Sequence, residues 1–458
     1  MLTRVEIDGF KSFEGLTLDL QPFTVIAGPN ASGKSNFFDA LRLLARLAAL
    51  DLPDAVRTMR GDPSEMFRRR ADGATVDAMR FAVEVLLDPE VEDAFGQRKP
   101  LAHTRLRYEL EIERRADDPG GLERLYVRRE QASAIRRADD AWGRRSSLAQ
   151  DFAKRRARYG TGRARTPFLE TLDDTFQVNQ DGRQGLPRPF PVRKGRATAT
   201  VLSKITTATE FPHLFALRQE LEGMTFLQLE VSAEREPSDA LAPDDLLPDG
   251  SNLAKVLARI EAETRTPERP RGDIGLIRSA LSTLIPGVKD LRVERDEAYG
   301  RYRFLLTTQD GEEFSSRVLS DGTLRMLALL TYLYDPRRRS VLLFEEPENG
   351  IHADRLARLI AVLREACTSL RTAEDDEERL FQVILNTHSP VVLRATEDEE
   401  IVAVDVVSRV DPEHRAVTRR TRMRAGLVAG ELPLDDREHR LTRSDIDRIV
   451  QSGDERTL

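Results

Sequence analysis

The first fifty residues alternate apolar and polar positions with the period of strands. Val5, Ile7 and Phe10, then Leu16, Leu18 and Leu20, mark two half-buried strands, and residues 23–27 form the continuous apolar run of a fully buried one. A glycine-bounded loop follows, and residues 36–50 (NFFDALRLLARLAAL) place apolar side chains at helical spacing, which predicts strand, loop, helix. Further strands are predicted over 79–87, 106–112 and 122–129, the last two joined as a hairpin by DDPGG. From 128 to 196 the apolar periodicity fades. It resumes with a helix over 202–221, a strand over 225–231, and a helix inside LLPDGSNLAKVLARIEAE that Asp249 or Ser251 caps and that runs to Glu263. A helix over 275–284, a strand over 288–295 and a hairpin turning at Gln309-Asp310-Gly311 come next. A helix over 324–334, strands over 341–344, 381–385 and 401–407, and a polar tail complete the pattern. No internal repeat of solenoid length is present.

Composition narrows the class. A chain of 458 residues predicts one large domain with an insertion, or two compact ones. With 40% hydrophobic and 33% charged residues it is neither collagen-like nor largely disordered, and a formal net charge of -7 excludes nucleic-acid binding through overall positive charge. The charge is uneven: residues 128–196 carry 17 Lys and Arg against 8 Asp and Glu, which is +9 and leaves -16 on the rest. Eight of the 71 basic residues are lysines, a bias that points to a GC-rich genome and lowers the weight of any arginine cluster. The single cysteine, Cys367, excludes an intrachain disulfide and a Cys-rich zinc site and suggests a reducing compartment. The N-terminal MLTRVEIDGFKSFEG mixes charges into its apolar positions, unlike a secretory signal, and the apolar stretch 324–334 is too short to span a bilayer and contains Arg325. A cytoplasmic protein without membrane contact is expected.

Three stretches carry chemistry. Gly28-Pro29-Asn30-Ala31-Ser32-Gly33-Lys34-Ser35 fits the phosphate-binding pattern G-x-x-x-x-G-K-[ST], between the buried strand and the amphipathic helix that begins at Asn36. Backbone N–H groups of such a loop face a β-phosphate, Lys34 spreads charge over β and γ oxygens, and the Ser35 hydroxyl reaches Mg²⁺. Val341-Leu342-Leu343-Phe344 delivers Glu345 and Glu346 to a strand's C-terminal end, where ligands gather in open α/β sheets. Glu345 is a candidate Mg²⁺ ligand and Glu346 a candidate general base for an attacking water. Leu319-Ser320-Asp321-Gly322-Thr323 opens a helix and presents N–H groups and a hydroxyl to an anion. Another apolar strand ends at Asn386-Thr387-His388-Ser389-Pro390.

In this order these motifs resemble the ABC-type ATPase heads of the SMC, RecF and OLD clan. Within it, EEPENGIH (345–352), NTHSP (386–390), the opening strand and DGSNLA (249–254) are similar to stand-alone, OLD-like AAA-family ATPases of bacterial defence systems. The resemblance covers residues 1–113 and 202–407. It implies an α/β P-loop NTPase fold, a mixed sheet with an antiparallel β-subdomain, a basic insertion and a helical signature subdomain. The implied division is 1–127 and 201–410 for the two halves of the head, 128–200 for the insertion and 411–458 for a tail. It also implies a Mg²⁺-dependent ATPase that sandwiches two ATPs in a head-to-tail homodimer. Each site would take Gly28 to Ser35, Asn36, Glu345, Glu346 and His388 from one subunit and Ser320 to Thr323 from the other. His388 would touch the γ-phosphate, Asn349 would face the partner's site, Gln228 would sense Mg²⁺ and water, and Arg60 would lie near the nucleotide. Two departures stand out: Glu345 replaces the usual aspartate, and Asp321 replaces a glycine and adds negative charge beside a triphosphate.

The expected role is a dimeric ATP-driven switch that senses or holds DNA through residues 128–196 and controls a separate effector or nuclease, in anti-phage defence or DNA repair. Sustained heptads are absent, so a long coiled-coil arm is not expected. About 70 residues follow His388, fewer than a Toprim nuclease domain is expected to need. The competing class is an ATP-dependent scaffold that restrains a toxin protein without DNA contact; a transporter subunit is disfavoured by the form of the signature and the lack of any membrane-coupling feature.

Overall fold

The computed structural model describes residues 1–70, 72–117, 122–145, 150–160, 166–173, 175–180, 188–192, 195–371, 379–411, 416–426, 440–441, 444–445 and 448. The chain divides into two compact units, Met1–Met224 with Cys367–Ile384 and Glu397–Leu458, and Thr225–Ala366 with Leu385–Thr396. Among the described residues no helix is long and apolar enough to cross a membrane.

In the first unit, alternation produces an antiparallel sheet of eight strands. Their order is Arg188–Pro191, Thr175–Val178, Leu169–Leu172, Leu122–Ala134, Arg105–Asp117, Ala78–Leu86, Leu2–Asp8 and Leu16–Asp19. The apolar run Phe23–Ala27 is buried along its whole length and pairs in parallel with Ile401–Asp411, Val25 opposite Ile401. Ile401–Asp411 pairs antiparallel with Ala416–Gly426. The helix Lys34–Leu47 buries Phe37, Phe38, Leu41 and Leu44, the stripe its spacing predicts.

Residues 128–196, expected as an insertion of weak periodicity, build much of this sheet. Leu122–Ala134 pairs with Arg105–Asp117 along its length, well past the expected end at 129. The segment after it is anchored by a buried ion pair: Arg105 donates to Asp140 Oδ2 at 2.9 Å and Oδ1 at 2.8 Å and lies 5.0 Å from the Trp142 ring, whose Nε1 donates to Leu20 O at 2.8 Å. Burial raises the Asp140 carboxyl, but the hydrogen bonds and charge of Arg105 outweigh it and hold the group below the ordinary range. Of the arginines, Arg128 lies 3.4 Å from Glu111, Arg129 3.5 Å from Glu109, Arg156 3.3 Å from Asp88 and Arg188 2.8 Å from Glu210, while Arg136 pairs with Asp139. The expected polar tail likewise supplies a strand, Ala416–Gly426, with Thr421, Met423 and Ala425 buried on alternate positions. Most of the DDPGG turn falls outside the described residues.

In the second unit Thr225–Leu227 pairs in parallel with Val341–Glu345, Leu227 opposite Phe344. An antiparallel sheet runs Ser238–Asp239, Arg301–Thr308, Val288–Asp296, and Glu313–Ser315 also pairs with Arg301–Thr308 across the expected hairpin turn. The helices Leu253–Thr264, Ile274–Leu284, Asp321–Leu333 and Ala353–Glu365 complete it. Three expected boundaries move for local reasons. The helix expected over 202–221 is a 3₁₀ turn, Leu202–Lys204, and a helix Pro212–Glu222, because Pro212 has no N–H to continue an earlier helix and suits a first turn. The strand expected to reach 231 ends at Leu227, and Val231 opens a short helix. Asn252, rather than Asp249 or Ser251, stands at the cap position of Leu253–Thr264; Asp249 is engaged with the Ser251 N–H at 3.0 Å and hydroxyl at 2.8 Å.

Candidate functional site

In the first unit the buried strand Phe23–Ala27 holds the start of the phosphate loop, and the helix Lys34–Leu47 begins inside it. Gly33 occupies the cap position at φ 106°, with no side-chain cap and no acidic residue in the first turn, so the opening N–H groups are left to an anion. Neither glycine can be replaced in place: a Cβ on Gly28 would sit 2.3 Å from Val404 O, and one on Gly33 2.2 Å from Thr421 Oγ1. Lys34 is buried and its ammonium donates to Gly28 O at 2.6 Å and Pro29 O at 2.9 Å, which curls the side chain back over the loop. Ala31 also takes a left-handed backbone, φ 61°. Ser32 Oγ is buried with no hydrogen-bond partner among the described residues. A close-approach backbone, uncapped helix amides, an orphaned hydroxyl and an ammonium fit a phosphate chain. Ser35, half-buried, is the one hydroxyl at the start of the helix itself.

Thr421 locks this loop from the strand Ala416–Gly426. Its hydroxyl lies 2.9 Å from Ser32 O and 2.7 Å from Ser12 Oγ, its N–H donates to Ser12 O at 3.0 Å, and Asn36 Nδ2 donates to Ser12 Oγ at 2.8 Å. Arg60, expected near the nucleotide, donates to Asp39 Oδ2 at 3.0 Å; Lys11 reaches the same buried carboxylate at 2.6 Å.

The second unit collects the carboxylates, the signature turn and the histidine. Val341–Phe344 are buried, Glu345 is half-buried at the strand's end, and Gln228 follows directly on the neighbouring parallel strand, so the register brings it level with Glu345. Glu346 leaves the strand in the left-handed region at φ 49°, a conformation costing a non-glycine residue roughly 1 kcal/mol or more. The buried Asn386 compensates: Glu346 N–H donates to its backbone O at 3.1 Å and its Oδ1 at 2.9 Å, and Asn386 Nδ2 donates to Glu345 Oε2 at 3.2 Å. Asn349 Nδ2 donates to Glu346 Oε2 at 2.8 Å. Glu348 Oε1 accepts from Thr387 Oγ1 at 2.8 Å and His388 N–H at 2.9 Å and lies 3.2 Å from His388 Nδ1.

Ser320 caps the signature helix Asp321–Leu333: its Oγ accepts from Thr323 N–H at 3.3 Å and lies 2.7 Å from Thr323 Oγ1. Gly322 is required by contact, since a Cβ there would meet Gly350 O at 2.5 Å in the turn after the carboxylates. The negative charge that Asp321 adds is answered by Arg235, which donates to Asp321 Oδ1 at 2.7 Å and to Arg317 O at 2.7 Å. Beneath them Glu234 is buried with both carboxylate oxygens unpartnered among the described residues. Burial pushes its pKa up to about 7, with Arg325 opposing and Asp321 reinforcing the shift.

The expected residues thus fall into two sets. Gly28 through Asn36 form the loop of the first unit; Gln228, Ser320 through Thr323, Glu345, Glu346, Asn349 and His388 gather in the second. Reasoning from sequence gave no role to Thr421, Asn386, Glu348 or Arg235. Asn386 and Glu348 lie in the quoted motifs, but only the folded contacts assign them partners. Among the described residues no group of three or more His, Cys, Asp or Glu side chains is placed to hold a metal.

Comparison with known proteins bears on the family and the fold. Residues 23–174 and 210–394 match the family described as AAA domain, putative AbiEii toxin, Type IV TA system. A 41-residue stretch is 54% identical to the chromosome partition protein Smc of Methanocaldococcus jannaschii, and a 68-residue stretch is 47% identical to that of Synechocystis sp.. These matches span 4% and 6% of those proteins' lengths. The structure of an Smc head bound to the C-winged helix domain of ScpA superposes with a TM-score of 0.50 at 16% identity, over 93% of this chain and 98% of that one. An Smc head with an extended coiled coil from Pyrococcus furiosus gives 0.47 at 14% identity, over 93% and 96%. With its family matched over most of its length, a P-loop NTPase fold of the Smc-head kind and the motifs in place, the chain belongs to the AAA-domain family of putative AbiEii toxins and is an ABC-type ATPase of the SMC and RecF clan.

Proposed function

We propose that the protein binds and hydrolyses ATP as a homodimeric switch and passes its nucleotide state to a separate partner protein. The observation that carries this reading is the phosphate loop, with two glycines that admit no Cβ, a buried lysine and an orphaned serine hydroxyl. Lys34 and the loop amides bind the triphosphate. Ser35, Glu345 and Gln228 would hold Mg²⁺, whose charge offsets that developing on the β and γ oxygens. Glu346 takes the proton of the attacking water as general base, positioned by Asn386 and Asn349. His388 contacts the γ-phosphate, and Ser320 to Thr323 of a second copy close the site on its other side.

The decisive test is Glu346→Gln. It should bind ATP as the wild type does, hydrolyse it about 100-fold or more slowly, and accumulate as a dimer in ATP. Wild-type turnover would show that another group is the base.

A partner protein is supported by the paired nature of the toxin systems after which the family is described, and defence is the setting that description favours. DNA sensing through residues 128–196 rests on their local charge, which is weakened as an argument because Arg128, Arg129, Arg136, Arg156 and Arg188 face acidic neighbours. The exposed Arg137 and Lys154 are the side chains to neutralise. Salt-dependent binding of duplex DNA that both substitutions weaken supports DNA sensing; no binding at low salt favours a scaffold that restrains a toxin protein.

A further inference from the structure

We infer that Glu348 is a positioning residue for His388, holding the histidine's backbone and keeping a hydrogen of the imidazole on Nδ1, so that Nε2 is left for the phosphate. The inference rests on the proposed role of His388 as the group that touches the γ-phosphate. Oε1 of Glu348 accepts the Thr387 hydroxyl at 2.8 Å and the His388 N–H at 2.9 Å, and stands 3.2 Å from His388 Nδ1. A carboxylate oxygen so placed favours hydrogen on Nδ1, since two lone pairs would otherwise face each other, and a phosphate oxygen at Nε2 asks for a hydrogen there as well, so the ring that makes both contacts is the one with hydrogen on each nitrogen. The Thr387 hydroxyl and the His388 N–H fix the backbone that carries the ring, and the Nδ1 approach bears on the rotation of a side chain that is itself 46% exposed. Oε2 of Glu348 is buried without a partner among the described residues, so the carboxylate's contacts converge on the histidine side. The turn that carries Glu348 also carries Glu346 and Asn349, which ties the orientation of the histidine to the carboxylate that activates water.

Three variants test this. Glu348→Ala should lower kcat about tenfold or more while KM for ATP stays within about twofold, because the phosphate loop is untouched. Glu348→Gln keeps an acceptor oxygen in the Oε1 position and should recover most of the loss. The double variant Glu348→Ala with His388→Ala should be no slower than His388→Ala alone, since residues acting as one unit are not additive. A Glu348→Ala enzyme with wild-type kcat, or losses that multiply in the double variant, would overturn the inference. A measurement independent of turnover is the nitrogen NMR signature of His388. The Nδ1–H form is expected in the wild type and its loss in Glu348→Ala; an Nε2–H tautomer in the wild type overturns the assignment even if a variant fails to fold. Absence of ATP hydrolysis by the wild type would instead defeat the proposed function and leave the NMR result to decide the role of Glu348.

Discussion

Lys34 shows how much a single side chain carries. Its ammonium already lies on Gly28 O and Pro29 O, so the charge is in place before a phosphate arrives. Lys34→Ala should weaken ATP binding about 100-fold or more, about 2.7 kcal/mol, by calorimetry; unchanged affinity would overturn the loop assignment. Glu234 belongs at the same scale. With a pKa of about 7 against an ordinary 4.5, the folded chain keeps a proton between those values that the unfolded chain has released. Stability from this group is therefore greatest at low pH and falls as pH rises through about 4.5 to 7. Glu234→Gln should flatten that part of the stability profile and gain on the wild type above pH 7, as denaturation midpoints at pH 5 and pH 8 would show. Equal slopes would mean that Glu234 is ionised and partnered. Nothing in the sequence marked this residue, and only its burial beneath the signature helix exposes the cost. Asp321 is the opposite case. Its charge was visible in LSDGT, but its neutraliser, Arg235, lies 86 residues away and was one arginine among many.

Among the elements, those with strong period and local punctuation were legible: the strand Phe23–Ala27, the helix Lys34–Leu47, the signature helix and the strand Val341–Glu345 all follow from apolar runs bounded by glycine, serine or charge. The strand Ala416–Gly426 was not. Its inward positions, Thr421, Met423 and Ala425, are small or few, and arginines at 419, 420, 422 and 424 hide the alternation. A polar strand of this kind is stabilised by its neighbour Ile401–Asp411 rather than by its own pattern. Yet this strand braces the phosphate loop. Thr421→Val keeps the shape and removes the hydroxyl, so Ser32 O loses its donor. A loss of about 1 kcal/mol, about fivefold in ATP affinity, is expected with Thr421→Ser close to wild type. If Thr421→Val binds ATP as tightly as the wild type, the brace has no bearing on the nucleotide.

For the whole molecule, the net charge of -7 concealed a basic segment, and the fold in turn shows how that segment is balanced. Glu109 and Glu111 on Arg105–Asp117 face Arg129 and Arg128 on the adjacent strand, so two of the nine excess charges are answered inside a sheet. The proposed dimer makes a separate prediction. Mixing Lys34→Ala with Ser320→Arg subunits should restore at most one complete site per dimer, and hydrolysis by the mixture should exceed that of either variant alone. No recovery would argue against shared sites. The bracing of residues 32 and 33 by residue 421 also has a consequence for synthesis. As the chain leaves the ribosome, the phosphate loop waits for nearly four hundred further residues before Thr421 and Val404 arrive. Such distant closure is slow to form and leaves apolar strands uncovered meanwhile. A chain interrupted before residue 421 would contain the phosphate loop without its brace, so nucleotide affinity would report whether translation had run far enough to finish the site.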